Sequence, residues 1–130
     1  MRLLVPLAAL AALAACATAP AATTAPSTPV AEQQAPAPSR ALLLLRQAGQ
    51  AEAPTQSELE RVLGAPDVAR QDGAGAALTY RYEQCALLLL FTTDGRNALR
   101  LAEAYPGPRR TGAPAPSLEQ CAAEASARGS

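Results

Sequence analysis

Nine of the twelve prolines fall in two short stretches: Pro20, Pro26, Pro29, Pro36 and Pro38, then Pro106, Pro108, Pro114 and Pro116. Proline fixes its own φ and has no N–H to donate, so dense proline works against both helix and sheet. Any core must therefore come from the chain between these stretches and the short segment after Pro116. From Ala17 to Pro38 the composition is mostly Ala, Thr, Pro, Gln and Ser, with Glu32 the only charge. Its few apolar residues keep no period of strand or helix, so residues 16–38 read as a tether rather than a fold. In extended polyproline form, at ~3.1 Å per residue, such a tether reaches roughly 70 Å.

Residues 39–130 read as one small domain. Ala41 to Leu45 is an apolar run between Arg40 and Arg46, and its length does not separate strand from helix. Gly49 and Pro54 bound a loop. Thr55/Glu58 and Ser57/Glu60 form two overlapping capping boxes ahead of Leu59, Val62 and Leu63, and Gly64 with Pro66 stops the helix. The period then becomes two: Leu78, Tyr80 and Tyr82 share one strand face, and Thr79, Arg81 and Glu83 share the other. Cys85 to Phe91 is almost wholly apolar, which predicts a central strand covered on both faces. Asp94-Gly95 signals a turn, and Asn97 to Glu103 alternates with Leu99 and Leu101 on one side. Pro106 to Pro116 reads as a connector. Ser117, with Gln120, caps a final helix carrying Leu118, Cys121, Ala122 and Ala125 on one face. The expected fold class is α+β: an antiparallel meander of three to four strands, packed with a short N-terminal and a C-terminal helix.

Composition excludes much chemistry. All eleven cationic side chains are Arg, balanced by eleven Asp and Glu, and there is no His or Lys. Net charge zero leaves no electrostatic footprint for nucleic acid. Without His, Ser-His and Cys-His catalysis and His-ligated zinc are closed to this chain; without Lys, so is Schiff-base chemistry. No metal, no cofactor and no enzymatic activity are expected. The groups an enzyme would have to use are Asp67, Asp72, Glu83, Asp94 and Tyr80. A carboxylate pair among them would suit glycan hydrolysis. Yet Asp67, Asp72 and Asp94 stand beside Gly or Pro at turn signals, where Asp serves the backbone.

At the N-terminus, Arg2 precedes an apolar run from Leu3 to Ala15, too short for the roughly 20 residues that span a bilayer. It has the proportions of a signal peptide, residues 1–15. Leu13-Ala14-Ala15-Cys16 resembles the lipobox of bacterial lipoproteins. That resemblance implies cleavage between Ala15 and Cys16 and acylation of Cys16, including a palmitate-type amide chain, which together form a durable anchor. The other reading is an ordinary signal peptide cut at an Ala15-x-Ala17 site. Ala17, rather than Asp, follows Cys16; by the same resemblance this favours the inner leaflet of the outer membrane, facing the periplasm. With Cys16 lipidated, Cys85 and Cys121 remain as an even pair in an oxidising compartment. A structural disulfide is the first reading of that pair. Free buried thiols are the second, and a redox pair, lacking CxxC spacing, the third.

Leu59-x-x-Val62-Leu63-Gly64-Ala65-Pro66-Asp67, followed by Asp72-Gly73 and Leu78-Thr79-Tyr80, is similar to the SmpA/OmlA-type lipoprotein domain. That domain occurs in a small lipoprotein component of the outer-membrane β-barrel assembly machinery. The segment resembles still more closely short alphaproteobacterial lipoproteins with a Cys-x-Leu-x-Leu-Phe strand and a cysteine-bearing last helix, as Cys85 to Phe91 and Cys121 have here. Leu78 stands where the family has Trp. The resemblance implies a small non-enzymatic envelope module, anchored to the membrane through Cys16, that acts as an interaction or scaffold element in envelope assembly or integrity. Its partner would be an envelope protein. The competing reading is a soluble or anchored periplasmic lipid- or glycan-binding protein, with Tyr80, Arg81, Tyr82, Arg109 and Arg110 facing an anionic head group.

Overall fold

Ser39 resolves the apolar run that its length left open. Its Oγ accepts the Leu42 N–H at 3.2 Å and starts a helix, α1 (Arg40–Leu45). This computed structural model describes residues 37–129; the signal segment, Ala15, Cys16 and the tether up to residue 36 lie outside the described residues.

The second helix, α2 (Gln56–Leu63), begins at the first of the two capping boxes. Thr55 Oγ1 accepts the Glu58 N–H, and the Glu58 carboxylate accepts the Thr55 N–H at 2.8 Å. The Ser57/Glu60 box does not form. Ser57 Oγ turns toward Thr55 Oγ1 and Glu60 takes the Gln56 side chain, because Ser57 is already inside the first turn once Thr55 caps it. Thr55→Ala should therefore cost about 1 kcal/mol in urea unfolding, while Ser57→Ala should stay within about 0.5 kcal/mol. Equal losses at both positions would contradict this assignment of the cap.

Gly64, at φ 83°, ends α2 and releases the chain into four strands: β1 (Val68–Asp72), β2 (Gly75–Arg81), β3 (Cys85–Thr93) and β4 (Leu99–Pro108). They pair in chain order as an antiparallel meander, and α3 (Leu118–Arg128) follows. The fold is α+β, with two helices rather than one before the sheet. β1 carries no apolar alternation, because as an edge strand it is exposed almost throughout. Its sequence signal is the turn that follows it, where Gly73 at φ 56° lets Asp72 pair back onto Gly75.

The inner face of the sheet carries Ala76, Leu78 and Tyr80 from β2, Cys85, Leu87, Leu89 and Phe91 from β3, and Leu101 from β4. Against it lie Leu59 and Leu63 of α2 and Cys121, Ala122 and Ala125 of α3, while Ala41, Leu42 and Leu45 of α1 close the helical layer. A register shift at Leu90/Phe91 leaves Ala102 as an extra residue in β4. There the loop after α1 joins the edge: the Gly49 N–H donates to Leu101 O and the Leu101 N–H to Pro54 O. Gly49 sits at φ 74°, and a Cβ on it would lie 3.2 Å from Ala102 O, so the approach depends on glycine.

Two sequence expectations are corrected. Pro106 and Pro108 are not connector residues; they sit within β4, paired with Leu87 and Cys85. Proline takes no part in a ladder as a donor, so it fits an edge strand whose nitrogens face outward, and it blunts that edge against further pairing. The central strand β3 is covered on one face only. Burial alternates along it, and Leu88 is 36% exposed while Leu87 and Leu89 are fully buried. All three helices pack on the same side, so β3's apolar composition overstates its coverage.

Candidate functional site

Among the candidate residues, the two cysteines come together. Cys85 opens β3, Cys121 lies on the inward face of α3, their Cα atoms are 5.5 Å apart, and the two sulfurs are bonded. Both residues are fully buried. The bond fastens α3 to the sheet across the exposed connector that carries Pro114 and Pro116.

The carboxylates do not converge. Asp67 lies at the α2–β1 junction and Glu83 in the β2–β3 turn, at one end of the sheet. Asp72 and Asp94 lie in the β1–β2 and β3–β4 turns at the other. Each well-connected carboxylate serves the backbone. Asp67 Oδ2 accepts the Arg81 N–H at 2.6 Å and faces the Arg128 guanidinium at 3.4 Å, and those two bonds hold its pKa below the usual value. Asp94 accepts the N–H groups of Arg96 and Ala98 and the Arg100 Nε at 2.6 Å. Led by the Arg100 bond, these contacts lower the Asp94 pKa from 3.8 to about 2. Among the described residues no three His, Cys, Asp or Glu side chains gather to hold a metal ion.

A folded-state pKa below the unfolded one adds stability above the unfolded value, and that stability disappears as pH falls through the folded one. The Asp94 contribution should therefore be complete above about pH 4 and vanish toward pH 2. Urea midpoints of Asp94→Asn should fall less steeply over that window than those of the parent chain. Parallel curves would show that the turn network is not the origin of the pH dependence.

Tyr80 and Tyr82 are buried on the inner side. The Tyr80 hydroxyl donates to Gly64 O at 3.0 Å, tying the strand to the helix stop, and burial raises its pKa. The Tyr82 ring stacks on Tyr80 with centroids 6.1 Å apart and takes the Arg128 guanidinium 5.4 Å above it. Burial pushes the Tyr82 hydroxyl up to about 12. Arg81 alone of that trio faces the opposite side; Arg109 and Arg110 are exposed beyond β4. Of the five residues proposed for an anionic head group, Tyr80 and Tyr82 are thus buried, Arg81 is exposed at the end of β2, and Arg109 and Arg110 lie past the end of β4.

The feature that sequence reasoning missed is the uncovered face. Its rows follow from the strand register: Val68–Thr79–Leu88–Tyr105 crosses all four strands, and Arg70–Ala77–Leu90–Glu103 runs beside it. Tyr105 is 49% exposed. Around Val68, Ala77, Thr79, Leu88 and Leu90, flanked by Arg70 and Arg81, lies a depression of about 360 Å³. The signal available in the sequence was Tyr105, placed two residues beyond Glu103 in a strand read as ending there.

No family model, curated protein or solved structure matches the chain.

Proposed function

We propose that the protein is a lipid-anchored periplasmic module, held at the outer membrane through Cys16, that acts without catalysis as an interaction or scaffold element in envelope assembly or integrity. The observation that carries this reading is the uncovered face of the sheet, with Leu88 and Tyr105 exposed on it, while the other face is packed by the chain's own helices. Apolar side chains left in the open together on one surface mark a place for a partner. The cysteine count supports the anchor: with Cys85 bonded to Cys121, Cys16 is the one thiol left over, and it stands at the lipobox-like Leu13-Ala14-Ala15-Cys16. The arrangement of carboxylates supports the non-catalytic part, since Asp67 and Asp94 are occupied by backbone N–H groups at opposite ends of the sheet.

The test is the intact mass of protein extracted from the membrane fraction of its own cells, alkylated with and without prior reduction. The expected mass is that of residues 16–130 with acyl groups, gaining two alkylations only after reduction. An unacylated mass would overturn the anchor. Pull-downs from solubilised membranes that repeatedly recover no envelope protein would overturn the scaffold role.

A further inference from the structure

We propose that the open sheet face is the docking site for an amphipathic helix of a partner protein, one whose apolar stripe is flanked by carboxylates. This rests on the interaction-module reading and names the surface and the partner chemistry.

The shape favours a helix. On the open side the depression lies over Ala77 and Thr79 of β2, with Val68 and Arg70 of β1 on one flank and Leu88 and Leu90 of β3 on the other. β1 and β3 stand two strand spacings of about 4.8 Å apart, roughly 10 Å, which matches a helix about 10–12 Å across with its side chains. Leu88 and Leu90, successive outward residues of β3, form the apolar wall of that depression. Tyr105 offers an aromatic anchor at its border, of the residue type that dominates interface energetics.

Charge selects the partner's sign. Arg70 and Arg81 flank the depression, and Arg109 and Arg110 follow β4 at the Arg81 end; none of the four has an ion-pair partner among the described residues. Three cations elsewhere are paired, Arg46 with Glu119, Arg100 with Asp94 and Arg128 with Asp67. A helix carrying Asp or Glu beside its apolar stripe would supply the missing counter-charges, whereas a basic helix would be repelled. A bilayer fits this face less well, because inserting into lipid needs apolar side chains that protrude, and Leu88 and Leu90 line a hollow. Two copies face to face would set hollow against hollow.

The experiment places the photo-crosslinking residue benzoylphenylalanine at position 88 of the full chain in its own cells. The control position is 123, where Ala123 is exposed on α3. Illumination should give a protein adduct from position 88 and not from 123. The crosslinked peptide, sequenced by mass spectrometry, should belong to a helix with Asp or Glu bordering its apolar residues. Arg70→Glu combined with Arg81→Glu should cut the adduct yield at least tenfold while leaving the thermal melt unchanged. Tyr105→Ala, which trims one exposed side chain, should lower the yield as well. A lipid adduct, an adduct to a second copy of the chain, a partner segment without flanking carboxylates, or a yield indifferent to the arginine changes would each overturn the inference. Adducts from position 123 alone would overturn it while leaving the scaffold reading intact. No adduct from either position would remove both.

Discussion

Replacing Cys85 and Cys121 together by serine should lower the free energy of unfolding by about 3–4 kcal/mol, measured by urea denaturation against the parent chain. The bond closes a loop across a sequence separation of 36, and in the chain-entropy account a loop of that size restricts the unfolded chain by about that amount. A domain this small sits near the lower end of the usual range of roughly 5–15 kcal/mol, so the loss is most of its margin. The structure adds a second reason. The connector between β4 and α3 is exposed along nearly its whole length, so α3 is returned to the sheet by the bond, by its inward side chains and by surface contacts of Glu124 with Gln84 and of Arg128 with Asp67 and Tyr82. Unfolding in the presence of a reductant should reproduce the serine variant. If both retain the parent's midpoint, the bond is not what holds α3, and the packing of Ala122 and Ala125 must hold it instead.

A second large effect is expected at Leu89, together with near silence at its neighbour. Leu89→Ala should cost about 2–5 kcal/mol, the range for emptying a buried leucine site. Leu89 is fully buried between Leu78 of β2 and Ala104 of β4, with the helices above. Leu88→Ala, one residue earlier, should cost well under about 1.5 kcal/mol, because its side chain points to the open face and is 36% exposed. The contrast is the useful quantity, since the two substitutions remove the same atoms from the same strand. Comparable losses would mean that the outer face is covered after all, and the docking inference would lose its surface.

Much of the architecture was legible along the chain. Thr55/Glu58 and Ser117/Gln120 mark the two capping boxes that form, because a cap is made among residues three apart and needs no distant partner. Leu78, Tyr80 and Tyr82 fall on one buried side as alternation requires, and the pairing of Cys85 with Cys121 follows the only even count left once Cys16 is set aside. What escaped was coverage. Nothing between Val68 and Asp72 announces a strand, since an edge strand exposed on nearly all its residues needs no apolar pattern. Pro106 and Pro108 look like linker residues until an outer edge is available to receive them.

The same division explains the site. Backbone chemistry and periodicity set the caps, the turns and the inward faces, because each depends on near neighbours or on the handedness of a repeating backbone. Whether Leu88, Leu90 and Tyr105 are core or surface depends on where the three helices come to rest, and in this fold they all settle on the other side. An apolar strand reads identically in both cases; only packing from distant parts of the chain separates a buried face from one kept open.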